Sequence, residues 1–123
     1  MTHQLGPVVH AFFAHHLVSV KGLRPGSIRS YRDAMRLFLL FVASDKKSKV
    51  SRLTLDDLSF ERVLAFLDHL ESSRGNRPQT RNQRLAALRV FFDYVAVQPP
   101  DLLGVCQRVA AIPSKRARPG DVS

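Results

Sequence analysis

Cysteine is almost missing from this chain of 123 residues: Cys106 is the single one. A disulfide scaffold is thereby excluded, and a reducing, cytoplasmic setting is the expectation. Acidic residues are scarce, ten against nineteen Lys and Arg, which leaves a formal charge of +9 and a pI near 10.8. No long uninterrupted apolar run occurs. Residues 1–20 carry no Lys, Arg, Asp or Glu, but His3, His10, His15 and His16 break the run. A spanning helix needs about twenty consecutive apolar residues, and a signal peptide needs a basic start and a small-residue cleavage site. Neither is present, so no membrane partner is expected. Asn-Gly and Asp-Gly turns, sustained period-two alternation and a fixed internal repeat are absent as well, which excludes hairpin-built and repeat architectures. What remains is 45% hydrophobic residues, enough for one domain with a real core.

The positive charge is concentrated. Residues 21–52 hold nine basic and two acidic side chains, and residues 74–98 hold five and one. Between them, residues 53–73 hold one basic and five acidic side chains. An excess gathered in two segments points to a polyanion as partner.

Helical periodicity is punctuated by Pro and Gly. Gly6-Pro7 opens a first helix carrying Val8, Val9, Phe12, Phe13, Leu17 and Val20, and Gly22 closes it. Pro25-Gly26-Ser27 opens a second that runs to about Ala43, with a stripe of Ile28, Tyr31, Met35, Phe38, Leu39 and Val42. A basic loop over 44–52 follows, and Thr54 is placed to cap a short turn containing Asp56-Asp57. Ser59 caps a third helix with Val63, Leu64, Phe66, Leu67 and Leu70. Pro78 opens a fourth, with Leu85, Leu88, Phe91, Phe92 and Val95, which stops before Pro99-Pro100. A short fifth helix is expected over Leu102–Ala110, and a linker or frayed tail from Ile112. The fold class is all-α, an orthogonal bundle of four to five helices.

The second and fourth helices share a division into a polar, basic first half and an apolar second half. In the second, Arg29, Ser30, Arg32, Asp33 and Arg36 lie off the core stripe, whereas Leu37, Leu40 and Phe41 make the far end apolar nearly all round. In the fourth, Gln79, Thr80, Arg81, Asn82, Gln83 and Arg84 pass without an apolar residue. Helix turns that cannot be buried project into solvent or a partner. Their free N–H groups and dipole favour phosphate, and these side-chain types bond base edges and phosphate oxygens. Lys46, Lys47, Lys49 and Arg52 are placed to add phosphate contacts.

These residues resemble a known family. Gly22-Leu23-Arg24-Pro25-Gly26-Ser27-Ile28-Arg29-Ser30-Tyr31 is similar to a helix start in the core-binding domain of tyrosine recombinases, the phage integrase, Xer and Cre-like site-specific enzymes. Arg77-Pro78-Gln79-Thr80-Arg81-Asn82-Gln83-Arg84-Leu85-Ala86-Ala87-Leu88-Arg89-Val90-Phe91-Phe92-Asp93-Tyr94 resembles the second signature of that domain, and Leu53-Thr54-Leu55-Asp56-Asp57-Leu58 resembles the connector between them. The resemblance covers about residues 5–115. It implies a SAM-like domain forming half of a clamp on double-stranded DNA, with the second and fourth helices toward the major groove. By position it implies Ser27, Arg29, Ser30, Gln79, Thr80, Gln83 and Arg84 as contacts; with Arg32, Arg36 and Arg81 from the polar faces, they form the candidate DNA-binding set. Arg24 stands where a Ser, Thr or Asn cap is usual, so this helix start is expected to be capped differently. Residues 1–110 are expected to be the DNA-binding domain and 111–123 a linker toward a catalytic domain beyond it. The family's nucleophilic Tyr, two Arg, Lys and His are not matched here, and no His-x-x-Arg box occurs. The expectation is therefore a fragment that binds a recombination half-site and cleaves nothing, a monomer on its own that meets protomers of the same recombinase on DNA.

Other readings of the remaining residues are plainer. His10, His15, His16 and His69 lack ligand partners at chelating spacing, so no metal, cofactor or small-molecule substrate is expected. Asp56, Asp57 and Glu61 suit helix starts, and Tyr31 and Tyr94 fall on core stripes. Cys106 reads as a small apolar residue of the last helix. The apolar arc of the first helix is wide enough for a subunit contact. The rival functions are a small helix-turn-helix regulator, which would need a tight turn between two short helices, and a SAM-type protein-interaction module, which would bind without regard to salt or to Arg29 and Arg84.

Overall fold

Among the described residues, Arg-Pro pairs begin two of the five α-helices, and glycines in the left-handed region sit just past two helix ends. The computed structural model describes residues 5–20, 22–96 and 103–115, with the backbone alone at 19–20 and 103–106. Helix α1 (Leu5–Ala11) runs on without a break as π-helical turns over Phe12–Val20. Then follow α2 (Pro25–Lys46), two short 3-10 turns (Val50–Arg52 and Leu55–Asp57), α3 (Phe60–Ser72), α4 (Pro78–Val95) and α5 (Leu103–Ala110). Every described element is helical. None of the helices is long and apolar enough to cross a membrane, among the described residues.

The π turns follow from packing. Bonding at i→i+5 brings residues five apart onto one side, and Phe12 and Leu17 are both fully buried. Phe12 meets Phe91 edge-on at 5.2 Å between centroids and lies 5.5 Å from Tyr94, which also packs on His16 at 4.7 Å. Gly22 ends the element at φ 62, letting the Leu23 N–H reach back to Leu17 O at 3.0 Å. A left-handed residue at such a stop favours glycine.

The core joins Met35, Phe38 and Val42 of α2 to Val63, Phe66, Leu67 and Leu70 of α3 and to Leu85, Leu88, Phe91, Phe92 and Val95 of α4. Val109 and Ile112 close it from the α5 end. Burying one such side chain stabilises the fold by about 1.5–3 kcal/mol. Two apolar expectations are corrected. Leu40 is 47% exposed and Leu64 43%, so the far end of α2 is not enclosed all round, and Leu64 lies on the outer face of α3.

Helix α2 also extends three residues beyond the expected end. Lys47 takes a left-handed cap at φ 59, and Lys46 is drawn into the last turn by Asp57, whose Oδ1 and Oδ2 accept from its ammonium at 2.8 and 2.9 Å. Asp57 accepts from the Thr54 backbone N–H as well, at 2.8 Å. Burial pushes this carboxyl up, but the Lys46 ammonium and the Thr54 donors outweigh that and hold it below the usual range. Ser59 caps α3, accepting from the Arg62 N–H at 3.2 Å.

The expected tail after α5 begins as structure. Ile112 is buried, and Pro113, Ser114 and Lys115 are held against α4. The Pro99-Pro100 stop, the start of the fifth helix at Leu102, the side chain of Cys106 and residues 116–123 lie outside the described parts.

Candidate nucleic-acid interface

Arg24 and Arg77 precede the prolines of α2 and α4 in extended conformations (φ −70, ψ 154 and φ −75, ψ 162), and neither side chain caps its helix. Proline supplies a preset φ and forfeits an N–H that would be orphaned anyway. The next N–H groups of each helix are left without a side-chain cap, the condition in which a helix start is most attractive to an anion.

The helices α2 and α4 pack together, and their first halves flank one open groove. Ser27, Ser30, Tyr31, Asp33 and Ala34 line it from α2, and Gln83, Arg84 and Ala86 from α4. Four of the candidate contacts, Ser27, Ser30, Gln83 and Arg84, are therefore brought together. The buried Ala34 leaves room there for a groove instead of a ridge. Arg84 is half-buried, and its Nε has no hydrogen-bond partner among the described residues. A buried guanidinium N–H without an acceptor is costly. Gln79 is exposed and Thr80 half-buried on the same first turn.

The basic residues of α2 lie on another flank. Arg29 borders a shallow depression with Phe13, Val18 and Ile28, and the Arg32 guanidinium stands 5.7 Å from the centre of the Phe13 ring. Arg32 and Arg36 rim an apolar depression with Val9, Leu40 and Val50. Spacings of three and four keep Arg29, Arg32 and Arg36 on one ridge, turned toward α1, whereas Ser27 and Ser30 turn toward α4. What the sequence presents as one polar face is two.

Arg81 is the clear departure. It is 7% exposed, with Nε 3.0 Å from Glu71 Oε1, although that N–H is not aligned for a hydrogen bond. Its η1 nitrogen donates to Pro113 O at 3.4 Å and to Asn82 Oδ1 at 3.3 Å. The residue is enclosed by α3 and the chain after α5, so little of its surface is accessible to an external partner. Lys46, expected to contact phosphate, is exposed but paired with Asp57, and Lys47, Lys49 and Arg52 are exposed as well.

Two further groove residues fall outside the candidate contact set: Asp33, which the sequence places on the polar face of α2, and Tyr31, which it assigns to the core. The spacing of Tyr31 matches the core stripe, and half of it is indeed buried; only the position of α4 reveals that its other side borders the groove. Tyr94 is a packing residue, against Phe12 and His16. No cluster of three or more His, Cys, Asp or Glu suited to a metal occurs among the described residues. The link between α2 and α3, Lys47–Ser59, contains two 3-10 turns and is not the tight turn that a helix-turn-helix over these two helices needs.

Comparisons with known proteins agree with this architecture. Residues 11–98 match the family described as phage integrase, N-terminal SAM-like domain. The chain is 44% identical over 113 residues to a Sinorhizobium fredii protein named as integrase/recombinase y4rD, covering 92% of this chain and 40% of that protein. It is 38% identical over 112 residues to a second, y4rC, covering 91% and 34%. A tyrosine recombinase XerC of Caldanaerobacter subterraneus is 25% identical over 107 residues, covering 72% and 29%. The chain thus spans less than half the length of each of these relatives. No solved structure matches it. Helix order, the two Arg-Pro openings and these matches converge, and the chain belongs to the family of phage integrase N-terminal SAM-like domains.

Proposed function

We propose that this domain binds double-stranded DNA for a tyrosine-type site-specific recombinase, laying the α2–α4 groove on one recombination half-site. The observation that carries the reading is the convergence of Ser27, Ser30, Gln83 and Arg84 on one groove between two uncapped helix starts. Arg84 and the open N–H groups meet phosphate, and the Ser and Gln side chains take part in reading base edges. Arg29, Arg32, Arg36, Gln79 and Thr80 extend the footprint beyond the groove, and Lys47, Lys49 and Arg52 add charge. Arg81 is left out of the contact set. Breaking and rejoining the phosphodiester belongs, in this proposal, to other residues of the whole recombinase, whose protomers meet on the assembled site.

Titrating salt against a labelled duplex tests the reading. If about six phosphates are neutralised, log affinity falls with log salt at a slope of about −5. Binding by the domain alone is expected to be weak and mostly independent of sequence, because half of a clamp makes half of the contacts. A flat salt response, with binding indifferent to Arg29→Ala plus Arg84→Ala, would instead support a protein-interaction module.

A further inference from the structure

Beside the groove, but outside it, six polar residues from three parts of the chain form a connected knot. The Asn82 carboxamide pairs twice with the peptide of Lys115. Its Nδ2 donates to Lys115 O at 2.6 Å, and its Oδ1 accepts from the Lys115 N–H at 2.9 Å. Glu71 joins the other two parts, with Oε2 accepting from Lys115 Nζ at 2.6 Å and Oε1 lying 3.0 Å from Arg81 Nε. Arg81 donates to Pro113 O, and one turn of α4 past Leu85 the Arg89 guanidinium donates to Ser114 Oγ at 3.3 Å. Below these contacts Ile112 is 5% exposed.

This is more than surface decoration, for two reasons. A carboxamide presents one donor and one acceptor side by side, which is what a backbone N–H and C=O require; a carboxylate offers two acceptors. The fit is therefore to the path of the main chain and not to the identity of residue 115. Buried Arg81 is also tolerable only while Glu71 and the Pro113 carbonyl remain in place.

We propose that Asn82, Glu71 and Arg81 are positioning residues that seat Ile112–Lys115 as a strap on α4, so that the chain leaves the domain along a fixed path next to Gln83 and Arg84. A segment that composition marks as a flexible linker is instead a rigid part of the domain through Lys115. Residues 83 and 84 follow Asn82 directly on α4, so the direction of exit and the attitude of the groove are set by the same turn of helix. The strap itself is independent of what the groove binds; its effect on duplex affinity rests on the DNA-binding reading.

Hydrogen exchange on the full chain, read residue by residue, separates the two. The Lys115 amide is expected to exchange more than about tenfold more slowly than a free amide. Asn82→Ala removes that protection while the amides of Leu88 and Phe91 keep theirs, which shows that the fold survives. Asn82→Asp loses most of it too, because one half of the pair becomes repulsive to the Lys115 carbonyl; Lys115→Ala keeps most of it, since the peptide pair remains. A Lys115 amide that exchanges freely in the unaltered protein, or one that stays protected in Asn82→Ala, would overturn the strap. In the duplex titration, Asn82→Ala is expected to weaken binding about threefold to tenfold with the salt slope unchanged, because no phosphate contact is lost. Unaltered affinity would show that the strap does not steer the groove. Absence of duplex binding by the unaltered protein would reject the DNA reading and leave the exchange result standing.

Discussion

Within two turns of α4, Arg81 and Asn82 look toward α3 and the strap, whereas Gln83 and Arg84 look toward α2 and an open groove. The side chains on the two flanks are of the same kinds. On the first flank the Asn82 carboxamide and the Arg81 η1 nitrogen bond to the strap, the Arg81 Nε stands against Glu71 as an ion pair without an aligned hydrogen bond, and Arg81 is nearly sealed. On the second, the Arg84 Nε has no partner of either kind among the described residues, and its neighbours are the serines of α2. Basic composition therefore says how much charge a helix brings, and helical phase decides whether that charge holds the fold together or is available to a ligand. A helix advances about 100° per residue, so Arg81 and Arg84, three apart, differ by roughly 60°. That offset is enough to place them on opposite sides of the boundary.

Breaking the inner flank should cost stability. Glu71→Ala is expected to destabilise the fold by about 2 kcal/mol, below the usual cost of stranding a buried charge because Glu71 is itself about a third exposed. Urea unfolding measures it, and the double variant Glu71→Ala plus Arg81→Met should recover a large part of the loss. Full additivity of the two would mean that the pair does not interact.

Breaking the outer flank should cost affinity and little else. Arg84→Ala is expected to lower duplex affinity by about 1 kcal/mol and to reduce the magnitude of the salt slope by about one, with stability changed by no more than about 0.5 kcal/mol. Arg81→Ala should show the reverse pattern, a loss of stability with the salt slope retained.

The turn before α3 gives a smaller effect, which sharpens the comparison because its charges are likewise paired within the fold. Asp57→Asn leaves one acceptor oxygen for the Thr54 N–H but removes the charge that pairs with Lys46 and replaces the other oxygen by a donor, for a loss of about 1 kcal/mol at neutral pH. The sign of the pH dependence follows from the lowered carboxyl. A depressed folded value means that the stabilisation is complete above the ordinary carboxylate range, about 4, and disappears as pH falls through the folded value. The unaltered protein should therefore lose more stability on acidification below about pH 4 than Asp57→Asn does, as read by thermal melts at a series of pH values.

Helix order and the starts of α2, α3 and α4 are readable from the sequence because Pro, Gly and Ser stand at the ends and the apolar residues recur at helical spacing. Pro25 and Pro78 start α2 and α4, and Ser59 caps α3, as local chemistry requires. The groove is readable in part: Ser27, Ser30, Gln83 and Arg84 carry polar chemistry that no core could use. Arg81 is unreadable by such means, since nothing adjacent distinguishes it from Arg84. The residues that enclose it, Glu71 and Pro113, are ten and thirty-two positions away, and only the packing of α3, α4 and α5 brings them together. The strap is hidden for the same reason. Pro, Ser and Lys suggest a linker locally, and the Asn82 pair is made through the backbone, which leaves no mark on composition. The extra length of α2 follows from Lys46 reaching Asp57, eleven positions on, a contact that helix propensity does not encode. The π turns of Phe12–Val20 answer to the rings of Phe91 and Tyr94, which lie far along the chain.

The most direct test of the account is an amide chemical-shift map of the domain with and without a short duplex at low salt. The account predicts perturbations gathered at Ser27, Ser30, Gln83 and Arg84 and along the first turns of α2 and α4, with Leu64, Asp68 and the rest of the outer α3 face unmoved. Perturbations centred on that α3 face, or none in the groove at a duplex concentration that saturates binding, would contradict it.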